Sequence, residues 1–284
     1  MLLVADSGAT KTAWILIDQN GYPHESSTMG FSPFFHSEQD ILIALGSSAA
    51  LSEWATKVNH IRYFGAGCSS PDRNAKIHNA LSAFFVQTPD IVVEHDLLGS
   101  VWATCGNDSG MSCILGTGSN ACYYDGTQIH EAVPSLDYIL GDEGSGAYFG
   151  KHLVANFLYK RLPDDLQAAF ATEYQLDKEQ ALNRVYRQPH PKVWLASFTK
   201  FLKMYETHPY IHAVLLSGLG EFLDTRVVIF PNHRDTVTHF VGSIAYHFQT
   251  ALKEACAERQ ITIGKIIKEP IYELTEFVKK TINS

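Results

Sequence analysis

No Cys-x-x-Cys pair occurs in this 284-residue chain, and its five cysteines (Cys68, Cys105, Cys113, Cys122, Cys256) are scattered and odd in number. That argues against a structural zinc site, an iron–sulfur cluster or a disulfide framework, and it fits a reducing compartment. Positive charge is also scarce: 22 Lys and Arg face 30 Asp and Glu, for a net charge of −8. Nucleic acid and anionic membrane are therefore poor candidates for the main partner. A phosphate ligand would have to be handled by backbone amides and a metal, because the overall field repels it. Asp6 and Lys11 interrupt the apolar start, and no apolar run approaches membrane-spanning length. A soluble cytoplasmic protein without a signal peptide is expected. Several catalytic motifs are missing as well. Ser145 stands five positions before Gly150-Lys151 and His152 follows the lysine, so there is no Walker A. There is no His-Glu-x-x-His or Gly-x-Ser-x-Gly either, and the thirteen histidines are scattered.

What is present centres on Cys113–Asn120, reading Cys-Ile-Leu-Gly-Thr-Gly-Ser-Asn. The apolar run of Met111, Cys113, Ile114 and Leu115 stops at Gly116-Thr117-Gly118-Ser119, and a second strand-like run, Ala121–Tyr124, follows. This predicts a hairpin with backbone N–H groups and hydroxyls crowded at its tip. Glycines there let an oxygen-rich ligand approach closely, and a nest of amides favours anions. An ordinary hairpin would account for this turn alone. A second turn of the same kind stands at the N-terminus. Leu2–Ala5 and Ala13–Asp18 read as strands around Asp6-Ser7-Gly8-Ala9-Thr10-Lys11-Thr12. An Asp at the end of the first strand can hold Mg²⁺ directly or through water, with turn amides, Thr and Lys facing phosphate oxygens. An Asx-type turn without a ligand is the alternative.

Gly21–Phe31 leads as a third strand into the loop Gly30–Phe35, and Ile41–Val58 has helical spacing. Ile61–Phe64 reads as a strand running into Gly65-Ala66-Gly67, where Ser70 and Pro71 spoil a dinucleotide fingerprint. Helix Asn74–Phe85, strand Ile91–Glu94 and helix Leu97–Cys105 follow, up to a polar break at Gly106–Gly110. The alternation implies an α/β domain. Asp96 lies at a strand's carboxyl end, where such sheets present active groups, although a helix N-cap would also explain it. After the central hairpin, Gly141-Asp142-Glu143-Gly144-Ser145-Gly146 opens a helix over Ala147–Tyr159. Acids suit a helix N-terminus, but three glycines around two carboxylates exceed what a cap requires. A polyol would explain the excess. Asp164–Tyr174, Lys178–Tyr186 and Val193–Tyr205 read as helices, and the short segments Val214–Leu216, Glu221–Val228 and Thr238–Phe240 follow. Val241-Gly242-Ser243 then opens a helix over Ala245–Ala257, leaving room for a flat adenine ring or for close helix–strand packing. Ile261–Ile267 and Pro270–Ile282 close the chain as strand and helix.

The order of these pieces resembles the actin/hexokinase/Hsp70 superfamily, and within it the N-acetylglucosamine kinase-like members of the BadF/BadG-type ATPase family. The resemblance spans essentially the whole chain. Its most specific part is the pair Gly116–Asn120 and Gly141–Ser145. It implies an α/β, two-lobed actin-like ATPase (ribonuclease H-like) fold with nucleotide and sugar in the interdomain cleft. Residues 1–107 would form the first lobe, rejoined by the helix at 270–284, and 108–269 the second. It further implies ATP and Mg²⁺ as cofactors, Asp6, Thr10 and Lys11 at the first phosphate and Mg²⁺ turn, and Thr117, Gly118 and Ser119 at the second. Asp96 would be the general base, Asn120, Gly141 and Asp142 would hold the sugar, and Gly242 and Ser243 would lie by the adenosine. The expected reaction is phosphorylation of an amino-sugar 6-hydroxyl, with N-acetylglucosamine foremost and with small molecules as partners, in a chain compatible with a homodimer. Phe31, Phe34 or Phe35 is placed to pack on the acetyl methyl. Some kinases of this group offer an Asn to the sugar from the loop that here reads Phe31-Ser32-Pro33-Phe34, so this chain departs from them there. Two other readings stay open: an ATPase activator of a radical dehydratase, and a non-catalytic sugar-binding regulator.

Overall fold

The computed structural model describes residues 1–282. The chain divides into two compact units, Met1–Asp108 with the segment from Glu269 onward, and Ser109–Lys268.

The first unit is built on a five-stranded sheet: β1 (Leu2–Ser7), β2 (Lys11–Ile17), β3 (Pro23–Met29), β4 (His60–Gly65) and β5 (Asp90–His95), in the order β3-β2-β1-β4-β5. β1, β2 and β3 form an antiparallel meander, while β1–β4 and β4–β5 are parallel. β1 is a continuous apolar run because both of its faces are covered. Leu3 and Ala5, with Trp14 and Leu16 of β2, face a core shared with α1 (Glu38–Gly46), α2 (Ala49–Trp54) and α3 (Pro71–Phe84). Leu2 and Val4, with Ile15 and Ile17, face the opposite way, toward α4 (Asp96–Thr104) and the C-terminal helix Ile271–Ile282. Ile271, Leu274 and Val278 place one apolar stripe of that helix on the sheet. Each such fully buried side chain contributes roughly 1.5–3 kcal/mol, which ties the chain's end to its beginning.

The second unit repeats this plan. Its strands are β6 (Gly110–Leu115), β7 (Ser119–Tyr124), β8 (Ile129–His130), β9 (Thr238–Val241) and β10 (Ile263–Ile267), in the order β10-β9-β6-β7-β8. β6, β7 and β8 are antiparallel, and β6–β9 and β9–β10 are parallel. The β6–β7 turn thus holds the position in its sheet that the β1–β2 turn holds in the first. Between β8 and β9 lie α5 (Asp137–Leu140), α6 (Gly146–Leu158), α7 (Asp164–Tyr174), α8 (Lys178–Tyr186), α9 (Pro191–Ser197), α10 (Thr199–Met204) and α11 (Pro209–Arg226). After β9 come α12 (Ser243–His247) and α13 (Gln249–Glu258), and after β10 the C-terminal helix, α14. Among the described residues no helix is long and apolar enough to cross a membrane.

Several elements differ from the sequence expectation. Ile41–Val58 is two helices, because Ser48 caps a second start by accepting the Leu51 amide. Val193–Tyr205 likewise divides at Phe198. Val214–Leu216 and Glu221–Val228 are largely parts of α11, whose buried residues include Gly218 and Gly220 as well as Leu215, Phe222 and Leu223. Phe31 is fully buried and stacks on Tyr63 with ring centroids 6.5 Å apart, so it belongs to the core and not to a ligand loop.

Candidate functional site

In the first unit, the β1–β2 turn is locked from beneath. Ser7 and Thr12 are fully buried, and their hydroxyls lie 2.7 Å apart. Thr12 also donates to the Met29 carbonyl, and the Phe31 amide donates to Ser7 Oγ. Gly8 donates to the Lys11 carbonyl at 3.0 Å, closing the turn, while Thr10 and Lys11 are exposed. A Cβ added at Gly8 would find only one atom within 4 Å, the Lys11 carbonyl oxygen at 3.9 Å. Packing does not require glycine there.

Asp6 stands on β1 just before this turn, and its carboxyl is pushed up to about 7, chiefly by burial. Asp96 and Glu269 raise it further, and Lys11 opposes them. Asp96 opens α4, but it is not the cap. His95 is the N-cap, its Nδ1 accepting the Leu97 amide at 3.2 Å, and the same nitrogen lies 3.1 Å from Asp96 Oδ1. The capping explanation for Asp96 therefore falls. Three acids gather at this end of the sheet with a single lysine, an arrangement that a divalent cation suits. Among the described residues no three His, Cys, Asp or Glu side chains converge to hold a metal. Asp6 would thus share a Mg²⁺ with phosphate oxygens and water, as is usual for that ion.

In the second unit, the two halves of the most specific motif pair meet directly. The Gly116 and Thr117 carbonyls accept the amides of Gly146 and Ala147, which seats the β6–β7 turn on the N-terminus of α6. Ser119 donates its amide to Asp142 Oδ1 at 3.2 Å and its hydroxyl to the Glu143 carbonyl at 2.8 Å. Ser145 caps α6 by accepting the Tyr148 amide. Asn120 accepts from Ala121 through Oδ1 and donates toward Glu131. Asp142 is buried and holds φ of 59°, a left-handed backbone that is uncommon outside glycine, although Asp tolerates it better than most residues. Strain of this sort collects where a ligand is clamped. Gly141 precedes it, buried under Leu136. At Gly116 an added Cβ would meet nothing within 4 Å. The glycines opening both turns therefore leave space beside the backbone that the protein does not fill.

Gly242 is brought against the same turn. Its φ is 114°, and a Cβ there would come within 2.4 Å of the Leu115 carbonyl oxygen. This is the close-packing explanation of that glycine, and it also sets Gly242 and the exposed Ser243 beside the β6–β7 turn.

Sequence reasoning missed Lys192, on α9. Its ammonium lies 2.7 Å from Asp142 Oδ2 and 2.5 Å from Asp137 Oδ1. A Cβ on Gly118 would sit 2.6 Å from that nitrogen and 2.8 Å from Asp142 Oδ2. Gly118 is thus needed for the ion pair itself. Arg226 was missed too. Buried at the end of α11, it donates to the carbonyls of Val133 and Pro134, fixing the segment that leads to Asp137.

The chain is similar over 99% of its length to the whole of a protein described as a "putative N-acetylglucosamine kinase" from Porphyromonas gingivalis, with 34% identity and a TM-score of 0.93. It belongs to that protein's family. A second structure described in the same words, from Chromobacterium violaceum, shares 17% identity over 98% of both chains with a TM-score of 0.72. A ROK family glucokinase from Streptomyces griseus, in complex with glucose and AMPPNP, shares 14% identity over 98% of this chain and 99% of its own, with a TM-score of 0.57. These two share the fold, an α/β actin-like ATPase fold with a mixed sheet in each unit. No family model and no curated protein sequence matches the chain.

Proposed function

We propose that the protein is an ATP-dependent kinase that phosphorylates the 6-hydroxyl of an amino sugar, N-acetylglucosamine foremost. The observation that carries this reading is the pair of equivalent glycine turns. Each opens with a glycine that packing does not demand, Gly8 and Gly116, and each bears side chains suited to phosphate. Phosphate oxygens beside those backbones would fill the space. Thr10 and Lys11 face them in one unit, and Thr117, Gly118 and Ser119 in the other. Gly242 and Ser243 flank the second turn, where the adenosine would lie. The glucokinase bound to a nucleotide analogue and a sugar supports a two-ligand site in this fold.

Phosphoryl transfer passes through a loose transition state, so placement and charge neutralisation do most of the catalysis. Asp6 would hold Mg²⁺, which when bound would neutralise phosphate charge. Asp142, Asn120 and the Gly141 turn hold ring hydroxyls. Asp96 accepts a hydrogen bond from the 6-hydroxyl and orients it. As the sugar oxygen bonds to the γ-phosphorus, the bond to the β,γ-bridging oxygen breaks, ADP departs, and the hydroxyl proton passes to the Asp96 carboxylate. Asp96 suits this role because the cap that would occupy it is provided by His95.

The test is ADP release by purified protein, coupled to a spectrophotometric readout, over a panel of N-acetylglucosamine, N-acetylmannosamine, glucosamine and glucose. Sugar-dependent ADP release is the expected result. ADP release indifferent to every sugar would replace the kinase by an ATPase, and sugar binding without turnover would replace it by a sensor.

A further inference from the structure

We infer that Lys192 is a positioning residue of the sugar site: its ammonium fixes the Asp142 carboxylate in the orientation that receives hydroxyl hydrogen bonds from the substrate. The inference rests on the reading of Asp142 as a sugar ligand, and it adds a residue from a helix outside the motifs. Three separate segments converge on one charge. Lys192 of α9 bridges Asp142 Oδ2 at 2.7 Å and Asp137 Oδ1 at 2.5 Å, while Ser119 of β7 donates its amide to Asp142 Oδ1 at 3.2 Å. A carboxylate offers about four lone-pair positions. The Ser119 amide takes one position on Oδ1, while Lys192 is ion-paired with Oδ2, a buried oxygen with no hydrogen-bond partner, so acceptor positions stay open on both oxygens.

The chain has made room for this contact. Gly118 is the residue whose missing Cβ would otherwise stand 2.6 Å from the ammonium. Lys192 is itself only 23% exposed, so its charge acts where water screens it little. Burial pushes the Asp142 carboxyl up, and Asp137 adds to that rise, while Lys192 and the Ser119 amide pull it back. Lys192 is held above its ordinary value by the two acids against its own burial. Tyr138 of α5 lies near both Asp137 and Lys192, Tyr186 of α8 lies near Tyr138, and Glu143 follows Asp142 in the chain. Burial pushes the Tyr138 hydroxyl up. The ammonium is therefore the charge that keeps a buried carboxylate ionised as well as aimed.

The experiment compares wild type, Lys192→Met and Lys192→Arg by sugar KM, ATP KM and calorimetric binding of N-acetylglucosamine between pH 6.5 and 9. Without the ammonium, Asp142 holds its proton to higher pH. Lys192→Met should raise the sugar KM at least tenfold at pH 6.5 and recover part of that loss as pH rises. Its ATP KM should stay within threefold, and wild type should show no such recovery. Lys192→Arg keeps the charge and should follow the wild-type pH profile, and it decides the matter alone if Lys192→Met does not fold. An unchanged sugar KM in Lys192→Met overturns the inference. So does a rise in sugar and ATP KM together that pH does not relieve, or a Lys192→Arg profile that recovers at high pH. Failure of wild type to bind any sugar would instead sink the reading of the site on which the inference rests.

Discussion

Gly116 and Gly242 adjoin the same turn, yet substituting them with alanine should give opposite results. At Gly242 the backbone has φ 114° and ψ 168°, a region almost confined to glycine. Occupying it with alanine costs on the order of 1–3 kcal/mol. The new Cβ would also press on the Leu115 carbonyl oxygen at 2.4 Å and its carbon at 2.8 Å, both of them backbone atoms that cannot swing aside. Overpacking of that kind costs roughly a further 1–3 kcal/mol. Gly242→Ala should therefore lose about 2–6 kcal/mol, which at about 2–4 °C per kcal/mol is a fall in Tm of roughly 4–24 °C. Gly116→Ala meets no atom within 4 Å and should leave Tm within about 2 °C. It fills the space proposed for a phosphate, however, so its affinity for Mg-ATP should drop at least tenfold. Thermal unfolding gives the first comparison. The nucleotide comparison is the rise in Tm on adding Mg-ATP, worth about 2.7 kcal/mol for wild type at a hundred times Kd and correspondingly less for the variant. If Gly116→Ala unfolds as readily as Gly242→Ala, the turn is structural. If Gly116→Ala is stable and binds Mg-ATP within threefold of wild type, no phosphate lies beside Gly116.

Asp96→Asn should leave folding and sugar binding intact while turnover falls on the order of 10²–10⁴-fold, the usual contribution of a general base; a kcat within tenfold of wild type removes Asp96 from that role. Thr117→Val deletes a hydroxyl proposed to bond phosphate, a bond to a charged group worth roughly 1.5–3 kcal/mol. Calorimetry should therefore show Mg-ATP affinity at least tenfold weaker, and a change in Tm alone would make the hydroxyl structural. Asp142→Ala should abolish measurable sugar binding while Mg-ATP still binds, because a site built for a hydroxyl discriminates steeply. In kcat/KM, N-acetylglucosamine should exceed both glucose and glucosamine, and equal or better turnover of either would refute the acetyl preference without touching the kinase.

Much of this was legible because the motifs report on local geometry. The two glycine turns stand between strands as their apolar runs predicted, and Asp164–Tyr174 and Lys178–Tyr186 form helices with those same ends. The Gly116 and Gly141 stretches were paired by the family resemblance, and the structure joins them through Ser119, Asp142 and Glu143. What stayed hidden was non-local or masked by composition. Lys192 meets Asp137 across 55 positions of sequence, from a Pro-flanked segment with no motif of its own. α11 carries apolar residues and two buried glycines around much of its circumference, because Tyr148 and Phe149 crowd Gly218 and Arg259 crowds Gly220. Its period is consequently poor, and it reads as fragments.

The duplication showed in the sequence only as two glycine turns of the same kind, and its full extent lies in the strand order. Matching β1 through β5 onto β6 through β10 pairs the two turns and also pairs two crossovers. After β9, Gly242 closes on the β6–β7 turn. After β4, Gly67 is instead covered by Phe34 and Pro33, with Arg73 stacked 4.6 Å over the Phe34 ring. One unit has left its crossover beside the turn and the other has covered it with its own loop. The same match sets Asp96, just after β5, against Glu269, just after β10. Both raise the Asp6 carboxyl. Against one opposing lysine, these two acids leave a surplus of negative charge that a divalent cation would offset.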